Sequence, residues 1–336
     1  MFKINIIFRL FLLVVLTIGC SSGAKEVADE SYASKQVIVL FSPGGIGDMG
    51  YNDQILRGLQ TIRQEKNFQL LFSAPSSLEE GEKIFSDWLN MDTGPVECLF
   101  ILAGNEYEEM ACRLLPSIRL PEKQVLLFET MKSDIPAYTF SISMEGASYL
   151  AGAAAASLIS GEAAVLCGSS NDATVNRAAT GFTKGFLDHG GAGVDVFYLS
   201  DNWTGYAMSD SAYRKTVQLA QKYRFLFPVA GGSNLGVYRY AREYPEAIYT
   251  AGMDVDQSGY ADRVTCSVVK HIDRLIIHYI NQWLEGETVP QHATYGLESG
   301  YIDLVLSPRY SESLLPVVSA SREQAIAEEG KMDRIY

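Results

Sequence analysis

The feature that most constrains this chain is an alternation of short apolar runs with longer stretches of helical period. Eight runs stand out: QVIVLFS at 36–42, FQLLFSA from Phe68, CLFILAG from Cys98, QVLLFET from Gln124, AAVLCGS from Ala163, VDVFYLS from Val194, FLFPVAG from Phe225 and IYTAGMD from Ile248. Between them the spacing predicts helices near 52–64, 78–90, 106–115, 144–159, 173–189, 209–223 and 235–243. A strand that is apolar at nearly every position has no wet face, so it belongs in a parallel sheet covered by helices on both sides.

Eight strands are more than one doubly wound sheet comfortably holds, and the series divides near 139–144. The expectation is therefore an α/β protein with two doubly wound parallel-sheet lobes. After Asp254 come RVTCSVV, a long amphipathic segment over 270–285, and ATYGLESGYIDLVLS, which suit further passages between the lobes rather than a third domain. The first lobe is expected over 36–142 plus about 266–298, the second over 143–263 plus about 302–336, joined by a multi-strand hinge over a cleft.

The N-terminus sets the compartment. Lys3 and Arg9 precede an apolar stretch over 10–18, and Gly19-Cys20 precede Ser21, Ser22 and Gly23. This pattern is that of a signal peptide over 1–19, too short to span a bilayer comfortably, with Cys20 as a lipidation site. The position three before Cys20 is Thr17 rather than the usual Leu. Residues 20–35 are small, polar and acidic, as expected of a lipidated tether that ends where the fold starts, at Gln36. The protein is thus expected outside the cytoplasm, membrane-anchored, where binding of solutes is a commoner task than cofactor chemistry.

The formal charge is -13, and the leader takes Lys3 and Arg9 with it. Nucleic acid is not expected as a partner, because it requires a basic surface. Cys98, Cys112, Cys167 and Cys266 sit in apolar runs, and His189, His271, His278 and His292 are scattered, so no metal site and no cofactor is expected.

In open parallel sheets ligands bind outside the carboxyl ends of the strands. The loops there hold Asp48, Tyr51 and Asn52 in GGIGDMGYND, then Asn105-Glu106, Glu129-Thr130, Asp201-Asn202-Trp203, Gly231-Gly232-Ser233-Asn234 and Asp254 through Gln257. Tyr51 and Trp203, one from each lobe, can sandwich a flat ring, worth about 0.5–1.5 kcal/mol per aromatic pair beyond area burial. Asp48, Glu129 and Asp254 can accept hydrogen bonds from hydroxyl or ring N–H groups, with Lys270 offsetting their charge. Each residue also has a plainer role: Asp48 as a helix cap, Tyr51 as a packing residue, Asp254 as a turn former, Lys270 in a structural ion pair.

The segment AGMDVDQSGYADRVTCSVVKHID, at 251–273, resembles the GxDxDQ…SxxK stretch of the basic membrane protein family, nucleoside-binding lipoproteins of ABC importers. GDMGYND at 47–53, EGASYLAGAAAA from Glu145 and VNRAATGFTKGF resemble further family segments in the same order. The resemblance covers about 36–287 and implies a type I periplasmic-binding-protein fold closing on a purine nucleoside, with an ABC permease as partner. By motif position it implies Tyr51 and Trp203 as stacking rings, and Asn52 and Glu129 as polar contacts. Asp254 would be the ribose-binding carboxylate and Lys270 the lysine that closes the motif; Gly231 is expected at the ligand from its strand-end loop alone. Gly47, Met49 and Gly50 replace the usual Asp, Lys and Ser, and Asn105 stands where a Gly-Phe pair is typical.

The same residues admit other readings. Gly45 through Gly50 satisfies GxGxxG after a strand, as in a dinucleotide-binding enzyme, but Ser73, Ala74 and Pro75 stand where the ribose-binding carboxylate would follow. A hydrolase using the carboxylates would need a matched base and nucleophile, which no motif supplies. On the same fold, a flavin, a sugar or a signal molecule for a membrane sensor is the alternative ligand.

Overall fold

All eight apolar runs become strands of two helix-covered sheets: six pair on both sides, and the runs from Phe68 and from Val194 lie at sheet edges. The structure is a computed structural model, and it describes residues 31–115 and 122–332. The signal peptide and Cys20 lie outside the described residues. The first lobe is built from β1 (Ser31–Phe41), α1 (Tyr51–Glu65), β2 (Asn67–Ser73), α2 (Leu78–Asn90), β3 (Glu97–Ala103), α3 (Glu108–Leu114), β4 (Lys123–Leu127) and β5 (Tyr138–Ile142). The second follows with α4 (Glu145–Ala156), β6 (Glu162–Ser169), α5 (Ala173–Asp188), β7 (Gly193–Ser200), α6 (Ser209–Leu219), β8 (Phe225–Val229), α7 (Asn234–Glu243), β9 (Tyr249–Asp254) and β10 (Val264–Lys270). The chain then returns to the first lobe with α8 (Ile272–Glu285) and β11 (His292–Tyr295), and ends in the second with β12 (Ile302–Leu306) and α9 (Ser311–Met332).

The two sheets repeat one plan. Their strand orders are β2-β1-β3-β4-β5-β11 and β7-β6-β8-β9-β10-β12. Neighbours are parallel except for the antiparallel pair β10 and β12. In each sheet the order reverses beside the first strand, between β1 and β3 and between β6 and β8, which leaves a crevice at their carboxyl ends. Three passages join the lobes, at Ser143-Met144, at His271 and over 296–301. They are tied to one another: the Ser143 N–H donates to the Tyr295 carbonyl and the His271 N–H to the Tyr301 carbonyl, each at 2.8 Å.

Two expectations need correcting. The strand β10, assigned from residue 266 to the first lobe, pairs with β9 and β12 in the second sheet, so the passage falls after Lys270. The stretch read as tether up to residue 35 already belongs to β1, which pairs from Ser31 against Asn67. The elements β5 and α9 had no prediction. In α9 the apolar residues scatter round the helix and Pro316 lies inside it, so the periodic signal is lost. Of the four cysteines within the described residues, Cys98, Cys167 and Cys266 are buried and Cys112 is half-buried, all as free thiols.

Candidate functional site

The carboxyl ends of both sheets face one another across a cavity of about 800 Å³, a size suited to a small organic ligand. Asp48, Tyr51, Asn52, Glu129, Trp203, Gly231, Asp254 and Lys270 all line it. The lobes are drawn together around it. Gln54 Nε2 donates to the Asp254 carbonyl at 2.8 Å, Asn105 Nδ2 to Asp172 Oδ1 at 3.0 Å, and Gln257 Nε2 to the Met49 carbonyl at 3.3 Å.

The innermost group is an ion cluster. Lys270 Nζ, carried by the last residue of β10, lies 3.0 Å from Glu129 Oε1 and 3.1 Å from Asp254 Oδ1, and all three side chains are buried. Burial works against the Lys270 ammonium, but Asp254 and Glu129 outweigh it and hold its pKa above the usual lysine value. Burial pushes Glu129 upward against the pull of Lys270. One ammonium between two carboxylates leaves an excess of negative charge that a hydroxyl or N–H donor can relieve. Lys270 Nζ also stands 4.9 Å above the Tyr51 ring, a cation–π contact that fixes the ring plane.

Both carboxylates sit on strained backbone. Met49, Glu129 and Asp254 have φ of 52°, 57° and 68°, and among the described residues they are the non-glycine positions with positive φ. All three lie in strand-end loops at the cleft, where such strain is tolerated when the surroundings enforce it and function uses it. Gly231, with φ of 52°, starts a short 3-10 turn after β8, and a Cβ there would press on the Tyr206 ring at 3.0 Å.

The loop after β1 is held by its own carboxylates. Asp48 accepts hydrogen bonds from the amides of Gly50, Asn52 and Asp53, at 2.9, 2.8 and 3.2 Å, and so caps α1. Burial raises its pKa, as does Asp254, while those amides lower it. Asp53 accepts from Gly47 N and Met49 N at 2.7 and 3.0 Å. Asn52 donates from Nδ2 to the Gly45 carbonyl at 2.9 Å, leaving its Oδ1 buried without a partner. The Tyr51 hydroxyl is buried and unpartnered as well.

The opposite wall is aromatic. Trp203 and Tyr206 stack at 5.8 Å between centroids and 24° between planes, on a short 3-10 turn opened by the Asn202 side chain. Tyr206 donates to Asp172 Oδ2 at 2.5 Å. Burial, then the Asp172 charge, lifts the Tyr206 phenol far above its usual range.

Glu106, Asp172 and Tyr206 are cavity residues to which the sequence assigned no role, although Glu106 stands among the strand-end loop residues named above. A signal for two of them existed: Glu106 follows β3 and Asp172 follows β6, the strands flanking the two switch points. Tyr206 had none, because its place depends on how the turn after β7 folds back over Gly168. Among the described residues, no helix is long and apolar enough to cross a membrane.

Comparison with known proteins identifies the family and the fold. Residues 35–335 match the family described as ABC transporter substrate-binding protein PnrA-like. Basic membrane protein C of Borreliella burgdorferi is 23 % identical over 331 residues, covering 90 % of this chain and 89 % of that protein. An uncharacterized lipoprotein of Pyrococcus abyssi is 22 % identical over 320 residues, covering 87 % of this chain and 75 % of its own length. Among solved structures, a solute-binding protein of an ABC transporter system from Aeropyrum pernix superposes with a TM-score of 0.70 at 20 % identity, covering 89 % of this chain and 90 % of that one. An ABC transporter solute-binding protein from Burkholderia graminis, in complex with D-arabinose, gives 0.61 at 14 % identity, covering 82 % and 96 %. These superpositions establish the two-lobed periplasmic-binding-protein fold.

Proposed function

Because the chain belongs to the family of PnrA-like ABC transporter substrate-binding proteins, we propose that it captures a purine nucleoside between its lobes and delivers it to an ABC permease. The proposal includes an extracytoplasmic protein anchored by lipid at Cys20, in keeping with the leader pattern and with one relative named as a lipoprotein. Its task is binding rather than catalysis.

The observation that carries the nucleoside reading is that Tyr51 of the first lobe and Trp203 of the second line one cavity together with the Lys270, Glu129 and Asp254 cluster. Two aromatic rings suit the flat base, and the carboxylates suit the ribose hydroxyls. Glu106, Glu129, Asp172 and Asp254 make the cavity acidic, which favours a nucleoside over its phosphorylated forms.

Calorimetric titration of the protein, refolded to strip co-purified ligand, with adenosine, guanosine, inosine, uridine, riboflavin and ribose tests this directly. Tight binding of the purine nucleosides is expected, and binding of riboflavin or ribose alone would replace the ligand class. Trp203→Ala is expected to weaken purine nucleosides at least about tenfold, or about 1.4 kcal/mol, the loss of one stacking face. An unchanged affinity removes the sandwich. Asp254→Asn is expected to weaken ribosides far more than free bases, and asparagine tolerates the positive φ there, so the backbone is kept. Equal losses for ribosides and bases would show that Asp254 does not read the sugar.

A further inference from the structure

Glu106 stands just beyond β3, at the switch point of the first sheet, and lines the cavity. Its Oε1 is sealed from water without a hydrogen-bond partner. The Tyr51 hydroxyl and Asn52 Oδ1 share that condition on the same wall, and Asn52 is only 3 % exposed. An unpaired buried polar atom costs about 1–3 kcal/mol, and native proteins keep few of them. Three in one cavity wall point to a ligand that completes them.

Asp172 is engaged by Tyr206 and Asn105, Asp48 by three amides, and Glu129 and Asp254 by Lys270, whereas Glu106 interacts with the Ser42 hydroxyl and keeps Oε1 unpaired. Glu106 acts electrostatically on Tyr51 of the first lobe and on Tyr206, the ring stacked against Trp203.

We infer that Glu106 is a specificity-determining residue whose carboxyl group reads the hydrogen-bonding edge of the planar heterocycle held between Tyr51 and Trp203. This rests on the nucleoside reading above. An ionised carboxylate offers two acceptors and complements adjacent N–H donors, as on the N1–H and amino edge of guanine. A protonated carboxyl offers a donor beside an acceptor and complements the N1 and amino edge of adenine.

Glu106 is placed to use both forms. Burial pushes its pKa up to about 7, against the Ser42 hydroxyl and with Asp172 and Glu129 adding to the rise. The titratable groups that interact with it are Tyr51, Tyr107, Glu129, Asp172 and Tyr206, and Asp48, Glu79, Asp254 and Lys270 line the same cavity. Tyr51 and Tyr206 are held far above neutrality, Lys270 stays charged between its two carboxylates, and no histidine lines the cavity among the described residues.

The test is calorimetry of the wild-type protein and Glu106→Gln with guanosine, inosine and adenosine at about pH 6 and about pH 8. In the wild type the guanosine-to-adenosine affinity ratio is expected to rise at least about fivefold from the lower to the higher pH. In Glu106→Gln, which has nothing to ionise, the ratio is expected to stay within about twofold. A flat wild-type ratio overturns the inference without any variant, and so does a variant that keeps the wild-type pH slope or weakens all three ligands equally. If the wild type binds none of the three, the nucleoside reading itself fails and takes the role of Glu106 with it.

Discussion

Lys270→Met is expected to destabilise the protein by about 3–5 kcal/mol and to abolish ligand binding. Lys270 Nζ is the ammonium held within 3.0 Å of Glu129 and 3.1 Å of Asp254, and all three side chains are buried. Removing one partner of a buried ion cluster leaves the others charged and desolvated, which costs more than the cluster contributes when whole. The methionine fills the volume of the lysine stem, so the loss reports charge rather than a cavity. Urea unfolding at neutral pH measures it, and a change below about 1 kcal/mol would mean that water reaches the cluster. Adding Glu129→Gln to Lys270→Met is expected to recover part of the loss, because it removes one stranded charge. Strictly additive effects would place the two groups in separate environments.

Gly185→Ala is expected to destabilise the second lobe by about 3 kcal/mol or more, although alanine favours helices over glycine by about 1 kcal/mol. The helices α4 and α5 cross at backbone contact. A Cβ on Gly185 would run into the carbonyl of Tyr149, and one on Gly181 into the carbonyl of Glu145. Backbone cannot rotate aside as a side chain can, so the helices must separate, and α4 carries the first passage between the lobes. Gly330→Ala is the matched comparison. Gly330 is also helical, but nothing lies within 4 Å of its added Cβ, and this change is expected to be neutral or to stabilise by up to about 1 kcal/mol. Thermal melts of the two variants should move in opposite directions, and equal shifts would refute close packing as the cause.

The fold was largely legible because its signal is local. A run such as CLFILAG has to be a strand buried on both faces, and repetition of that pattern with helices between requires parallel sheets. The hinge was less legible. RVTCSVV reads as a strand whichever sheet receives it, and only its pairing with β9 and β12 assigns it to the second lobe. The strand β5 escaped notice because YTFSI is short and lies where the chain changes lobes.

Of the residues lining the cavity, those inside a motif were named from the sequence, and Asp172 and Tyr206, brought in by convergence, were not. Asp48 was weighed as a cap and as a ligand group, and its three amide bonds supply the capping role. Asn105 departed from the family pattern with no evident reason, and it spans the lobes to Asp172. Tyr206 lay outside every motif.

What the sequence by itself determined is the strand and helix alternation, the division into two similar lobes and the placing of polar and aromatic residues just after strands. These follow from periodicity and from the rule that parallel strands bind ligands at their carboxyl ends, both of which depend on neighbours along the chain. Only the tertiary structure decided which sheet receives β10, that one ammonium serves Glu129 and Asp254 together, and that Glu106, Tyr51 and Asn52, which line one cavity, each leave a buried polar atom without a partner. Burial and charge pairing depend on groups more than a hundred residues apart in the chain, as Glu129 and Lys270 are, and no local pattern encodes a distance between them.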